Sequence, residues 1–505
     1  MFIRKVKNSS GNTAIQVIRK TGRKNRIIKH IGTARTPLEI QQLKAIAQKF
    51  IDNERIKSGV LSLFDTRYQE NELDELLQRL TFTQAFDTLT YRFLRYFYET
   101  IGFSEVKDEC FADLVITRIA SPASKRKTRD ILEQKFGRSY SLTGIYRSLR
   151  RSFTDNYKET IEQVIYNFAK LNLHEEITVL FFDVTTLYFE AFDEDEVRKN
   201  GFSKEYRHNQ PQIVVALTVT TSGIPLTMKM FEGDTFEGHT MLPCIEEARD
   251  KFALDNIIVV ADAAMLSEDN LEKLEVKQLK YIVGARLGNI SHQLFEKITA
   301  SLPKEDKACM RLPLENDRIM LVGYSEKRAA KDRHDREKQI QKAKETLAKP
   351  QSVVRRYKFI SSKGKGQFKL NQKLIEKAEK LEGIKGYITN AQELKDEEII
   401  EKYTELWQVE KSFRMSKSDL KARPVFHTLR ESIEAHLLIV FTALAVSRYI
   451  EDISKMSITR VADILSQVKE IMVEDKVSGQ KSSKYTNLNE EALRLAKLAN
   501  IDWVT

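Results

Sequence analysis

Cysteine is scarce in this chain. Its three residues, Cys110, Cys244 and Cys309, stand far apart with no CxxC or His-flanked spacing. That odd, patternless set excludes a disulfide framework and a structural zinc, and it fits a reducing compartment. Also lacking is a long hydrophobic run. Leu437 to Val446, interrupted by Thr442, falls short of a bilayer and reads as a buried helix. The N-terminus, Met-Phe-Ile-Arg-Lys-Val-Lys, has no apolar core of a signal peptide. A soluble protein of the cytoplasm is the expectation. Residues 1–38 contain no Asp or Glu at all, against ten Lys or Arg.

What is present fits a large folded protein with an acidic partner. A chain of 505 residues exceeds what one hydrophobic core serves, so several domains are expected. The hydrophobic share of 41% and charged share of 31% exclude a disordered chain. A net charge of +11 suits a polyanion, because each Lys or Arg placed on a phosphate releases counterions.

The texture changes along the chain. Phe2–Lys7, Ala14–Arg19 and Arg26–Gly32 alternate like strands around turns at Asn8–Gly11 and Thr21–Lys24, so 1–38 reads as a basic β-module. Residues 39–172 are helical and form a candidate DNA-binding region. Ser121–Arg129 opens one helix and Leu142–Arg151 is a second, Arg-rich one. Together they read as a helix-turn-helix with Lys125, Arg126 and Arg147 as DNA contacts, or simply as two solvated basic faces. From 173 to 289, Ile177–Phe182, a hairpin turning at Ser222-Gly223, Ile257–Ala261 and Tyr281–Ala285 read as a mixed α/β sheet flanked by helices. A basic insertion follows over 290–384, with nine Lys or Arg and one Glu between Lys342 and Lys369. Residues 385–450 return to the core, beginning with a strand at Ile384–Asn390, and 451–505 form a C-terminal helical region.

Two apolar runs each end in an aspartate: Ile-Thr-Val-Leu-Phe-Phe-Asp183 and Asn-Ile-Ile-Val-Val-Ala-Asp262. A carboxylate at the rim of a hydrophobic sheet is costly unless paired, hydrogen-bonded or bound to a cation. Taken singly, each Asp is equally an Asx-turn residue. Downstream, Tyr403, Glu410 and Lys417 are spaced seven and seven, which on one helix makes a single stripe of phenol, carboxylate and ammonium. Asp183, Asp262 and Glu410 thus make a candidate site for two Mg²⁺, with Mn²⁺ as substitute and Asp183 as the bridging ligand. Two such ions about 4 Å apart clamp the attacking and leaving oxygens of an in-line displacement. Arg414 lies one turn past Glu410, where it would pair with that carboxylate or reach a phosphate. Trp407 reads as a core residue or as a platform for an extruded base. Lys204, His208 and Gln212 would reach the site or the DNA backbone, or belong to a surface loop. His239 and His436 read as packed or hydrogen-bonded histidines.

As a set these blocks resemble the D-D-E transposases of bacterial insertion sequences, in the branch marked by Tyr-x2-Arg-x3-Glu-x6-Lys. Tyr403, Glu410 and Lys417 match three signature positions. Phe182–Phe189, Gly201–Lys204, Val260–Met265, Lys421–His427 and Glu434–His436 resemble further blocks, over residues 115–447. The resemblance implies an RNase H-like core interrupted by an insertion, Mg²⁺-dependent cleavage at the element's terminal inverted repeats, and strand transfer into target DNA by a homodimer on paired ends. Tyr403 and Lys417 would grip phosphates near the transposon end. Leu406 stands where the signature has Arg: either Arg414 takes over that contact or this branch does without it. A non-catalytic DNA-binding regulator and an RNase H-like nuclease without strand transfer are the competing expectations.

Overall fold

Apolar side chains on both faces, as in Val179-Leu-Phe-Phe182, are the composition of a strand covered from both sides. In the computed structural model these residues open the strand Val179–Tyr188, and all four are buried. The structure describes residues 1–9, 11–22, 24–57, 79–190, 193–201, 209–265, 267–348, 357–362, 368–477 and 479–502. Two units emerge: Met1–Gln84 with Ile471–Lys484, and Ala85–Glu470 with Tyr485–Thr505.

In the first unit β1 (Phe2–Lys7), β2 (Thr13–Thr21) and β3 (Lys24–Ala34) form an antiparallel meander. The helix Pro37–Lys57 lies on it over a small core of Ile15, Val17, Ala47 and Ile51. Strand alternation sends Ile15 and Val17 inward and leaves Arg4, Lys5 and Lys7 in solvent. Most of β4 (Leu80–Phe86), β15 (Lys469–Asp475) and β16 (Lys481–Thr486) also belongs here, in a sheet of order β16-β15-β4, so neither 39–172 nor 451–505 is wholly helical as expected.

The second unit is built on one large sheet. Strands β5 (Val179–Tyr188), β6 (Gln212–Val219) and β7 (Pro225–Glu232) run antiparallel in sequence. Next to β5 on its other side lies β8 (Ile258–Ala261), parallel to it, and β9 (Lys280–Gly284) is parallel to β8. Parallel neighbours need a crossover, and the helices Met241–Phe252 and Glu268–Val276 provide it. The resulting order, β7-β6-β5-β8-β9, is that of an RNase H-like core: a meander whose first strand is then flanked by two parallel strands. Beyond β9 the sheet continues antiparallel through β14 (Ile384–Thr389), β11 (Ile319–Tyr324) and β10 (Cys309–Pro313), giving eight strands. Thus β10 and β11, which fall within the stretch 290–384 read as an insertion, extend the main sheet itself. Leu312, Met320 and Val322 give that extension its own small core with Leu287, Ile298 and Leu302. β12 (Ile360–Ser362) and β13 (Phe368–Leu370) pair as a short ribbon; part of the basic patch 342–369 lies outside the described residues.

Helices Thr88–Ile101, Glu109–Ala120, Lys125–Phe136, Leu142–Thr154 and Tyr157–Leu171 form a layer around the long helix Arg430–Ser454. By length and composition that helix is apolar enough to cross a membrane, yet 89% of its apolar window is buried inside the protein. Ser124 and Ser141 cap the Lys125–Phe136 and Leu142–Thr154 helices by accepting from the Lys127 and Gly144 amides. Gly137 ends the first of them in the left-handed region, at φ 66°. Lys125 departs from the expectation of an open-surface contact to duplex DNA: only 5% of it is exposed. Arg126 and Arg147 are exposed.

One buried clasp fixes the last helices on the sheet. The β6–β7 turn passes through Gly223 at φ 83°, and its carbonyl accepts from Arg448 Nε at 2.9 Å. The same guanidinium donates to Gln408 Oε1, while Gln408 Nε2 donates to Thr221 O at 3.3 Å. Burial pushes the Arg448 pKa down, opposed by Glu451 and Asp452. A side chain at 223 would collide with the guanidinium. Arg448→Met strips a buried carbonyl and a half-buried side-chain amide of their donor. The expected loss is about 1–3 kcal/mol, read as a lower urea midpoint; an unchanged midpoint would show that the clasp holds nothing.

Candidate active site

Asp183 sits in the middle of β5, opposite Leu217 of β6. On its other side the parallel ladder ends with Phe182 paired to Ala261, so Asp183 and Asp262 occupy the next register position on neighbouring strands. Strands in a sheet lie about 4.8 Å apart and paired residues face the same side. The two aspartates are therefore neighbours at the centre of the sheet, at the point where β8 ends. Both are partly buried. Asp183 Oδ1 accepts from the Val184 amide and Asp262 Oδ1 accepts from the Ala264 amide, each at 2.8 Å. The second bond is an Asx-type turn, which aims the chain away after β8.

Tyr403, Glu410 and Lys417 do not share one helix. The stretch breaks at Glu405-Leu406: Tyr403 is in the last turn of Asp396–Thr404, and Glu410 and Lys417 are in the first and last turns of Trp407–Ser418. The break follows from burial. Leu406 is 5% exposed and belongs to the main core, and the chain turns tightly to bring it there. An arginine at 406 would place its charge in that core, which accounts for the apolar residue at this signature position. The Asp396–Thr404 helix packs on β8 and β9, whereas Trp407–Ser418 packs on β5 and β6. Each thus approaches the strand that carries one aspartate. Glu410 is exposed in the first helical turn, where the helix dipole favours a carboxylate.

The Tyr403 phenol is buried and its pKa is pushed up, first by burial, then by the nearby Asp262 carboxylate, the Tyr387 phenol and the Glu410 carboxylate. Its hydroxyl lies against Gly284 at the end of β9, where any Cβ would collide with it. Lys385, on β14, places its ammonium 4.3 Å from the centre of the Tyr403 ring and 5.6 Å from that of Tyr387. Burial, then Arg328, lowers the Lys385 pKa, and Glu410 raises it. Arg286 donates from Nε to the Ala263 carbonyl at 2.8 Å, one residue past Asp262. Sequence reasoning missed Lys385 and Arg286, because neither lies in a recognisable spacing with the acidic residues. The signal available was the strand Ile384–Asn390 itself, which carries a lysine into a buried sheet.

Other candidates are dispersed. Arg414 is exposed and Lys417 is partly buried, both on the Glu410 helix. Trp407 is not a core residue: it is 48% exposed, with the Lys411 ammonium 5.9 Å from its ring. Gln212 is buried and donates to the Gly233 carbonyl at 2.9 Å, so it supports the hairpin and does not reach a ligand. Lys204 and His208, with most of the Gly201–Lys204 block, lie outside the described residues. His239 stacks edge-on against Phe236, and His436 Nε2 bonds the Ala422 carbonyl at 3.0 Å.

Among the described residues no three His, Cys, Asp or Glu side chains converge as a ready-made metal cage. The donor set nonetheless suits Mg²⁺, which keeps several of its waters and needs only one or two protein carboxylates. Asp183 and Asp262 supply that pair from adjacent strands, and Glu410 is the acidic side chain whose field reaches the same phenol as Asp262.

No curated protein matches the chain. Among solved structures, similarity is found to the cryo-EM structure of a piggyBac transposase synaptic complex with hairpin DNA, at 10% identity and a TM-score of 0.38, covering 74% of this chain and 70% of that one. The family model described as the transposase DDE domain matches residues 174–446, from just before β5 into the helix Arg430–Ser454. On that match, which spans more than half its length, the chain belongs to the DDE transposase family.

Proposed function

We propose that this transposase cuts DNA at the ends of a bacterial insertion sequence and joins the freed 3′-hydroxyls to target DNA, within the branch marked by the Tyr-Arg-Glu-Lys signature. The observation that carries this reading is the register of β5 and β8, which sets Asp183 beside Asp262 with the Glu410 helix packed on the same strands. Asp183, Asp262 and Glu410 would hold two Mg²⁺, or Mn²⁺ in their place. A bound divalent ion supplies Lewis-acid polarisation of the phosphodiester and activation of the attacking hydroxyl or water.

The chain's own residues do the rest. Lys385, held over the Tyr403 ring, takes the cationic role for which position 406 has no arginine. Tyr403 and Lys417 flank Glu410 from two helices and orient the phosphate at the transposon end. Arg414 and half-exposed Trp407 line the outer face of the Glu410 helix, the guanidinium for a backbone phosphate and the indole for an unstacked base. Exposed Arg126 and Arg147 contact the duplex backbone farther out. The active assembly is a homodimer on paired terminal inverted repeats, in the bacterial cytoplasm.

Asp183→Asn, Asp262→Asn and Glu410→Gln should each bind an element-end duplex as the unaltered protein does, and each should lose Mg²⁺-dependent cleavage by a factor on the order of 10² or more. Full cleavage by any one of them removes that residue from the site, and nicking without joined products would mark a nuclease without strand transfer. Lys385→Met should weaken end binding and lower the slope of log affinity against log salt by about one. A slope that does not change would show that Lys385 touches no phosphate.

A further inference from the structure

A second concentration of positive charge lies apart from the acidic residues, in a cavity of about 240 Å³ between the start of the Lys125–Phe136 helix and the segment Lys421–His427. Two of its cations are inside the protein. Lys125 is 5% exposed and Arg118 is 6% exposed. Among the described residues neither has a carboxylate partner; Arg118 reaches only the Lys421 carbonyl, at 3.5 Å. His436, 5% exposed, also lines the cavity. Its Nε2 is committed to the Ala422 carbonyl, and its Nδ1 is buried with no partner among the described residues. The amides at the helix start, capped by Ser124, add the positive end of a helix dipole.

Two buried basic side chains that line one cavity, with no carboxylate partner among the described residues, are held in their charged forms at a cost that an entering anion would offset. Their titration registers the strain. Burial and then Arg118 push the Lys125 pKa well down, and burial lowers Arg118 to about 10. His427, whose ring centre is 5.7 Å from that of His436, is brought down to about 4 by burial and by the same two cations. The nearby thiol of Cys110 is pushed up to about 11, so it is neutral and offsets nothing. An anion entering the cavity would favour the charged form of both groups. Its carrier is indicated by the rim, where Phe426 (69% exposed) and Tyr146 (47% exposed) offer aromatic faces beside the cations.

We propose that this cavity binds a phosphate group carried on a nucleotide of an unpaired DNA strand, with Arg118 and Lys125 on the phosphate and Phe426 and Tyr146 stacking the base. The site is tied to the catalytic strand. Phe189, at the end of β5, bridges to Val425, and the Arg423 guanidinium lies 5.4 Å from the ring centre of Tyr188. Five residues of β5 separate Tyr188 from Asp183, about 16 Å of strand, or about five base steps of duplex. A DNA strand engaged at Asp183 would need about that length to reach the cavity. The DNA-processing reading supplies only the source of the phosphate; the cavity's demand for an anion stands without it.

The test uses the full chain without divalent metal, so a failure of the catalytic assignment leaves it untouched. Thermal midpoints are measured against inorganic phosphate and against a short single-stranded oligonucleotide, at fixed ionic strength with chloride as the balancing ion. Phosphate should raise the midpoint in a concentration-dependent way. Lys125→Met should abolish the response to both probes. Arg118→Met provides the same readout independently, and Lys331→Ala on an exposed helix should respond as the unaltered protein does. Phe426→Ala should keep the phosphate response and lose oligonucleotide affinity by on the order of tenfold. An equal phosphate response with and without Lys125, or none in the unaltered protein, overturns the site. A Lys125-dependent phosphate response with no oligonucleotide binding overturns the nucleotide as its carrier.

Discussion

The parallel ladder between β5 and β8 is the constraint on which the site depends. Four paired residues, Val179 with Ile258 through Phe182 with Ala261, fix the register, and every one of them is buried. A slip of one residue would turn Asp183 or Asp262 to the opposite face of the sheet and bury a charge among apolar side chains. Apolar packing therefore specifies where the two carboxylates meet. The chemistry is placed by the hydrophobic effect, at a strand end where the backbone no longer needs a ladder partner.

The third acidic residue is positioned by a different device. Glu410 belongs to a short helix that begins at a forced break, because Leu406 is drawn into the core between two helices. The start of that helix is then held to the β6–β7 turn through Gln408 and Arg448. Tyr403, left on the preceding helix, becomes a buried phenol against Gly284 with Lys385 over its ring. A motif that reads as one continuous stripe in sequence is thus two separately anchored halves. A lysine from β14 sits over the ring of the first half and feels the charge of Glu410 on the second.

Much of this was legible in the sequence, for physical reasons that can be named. Residues 179–182 and 258–261 are apolar on both faces, so their strand character and their burial follow from composition alone. The hairpin at Gly223 and the strand at Ile384–Thr389 announced themselves in the same way. The break at Leu406 was not legible, because the spacing of seven is compatible with a continuous helix and only tertiary burial of the leucine interrupts it. Nor was the depth of Lys125, since a run of Lys-Arg-Lys at a helix start has the local pattern of a solvated face. Trp407 erred in the other direction: its size suggested the core, but its position at the start of a helix leaves half of it in solvent. Lys385 and Arg286 were invisible because their proximity to the acidic residues is created by strand order alone.

The central claim is that Asp183, Asp262 and Glu410 gather around one metal-binding point. It is tested most directly by loading the protein with Fe²⁺ in place of Mg²⁺ and mapping the backbone cuts made by locally generated hydroxyl radicals. Carboxylate sites of this kind accept Mn²⁺ and Fe²⁺. The account predicts three groups of cuts, in the middle of β5, just after β8 and at the start of the helix Trp407–Ser418, all suppressed by excess Mg²⁺. Cuts that spare any one of those segments, or that persist in Asp183→Asn, would contradict it.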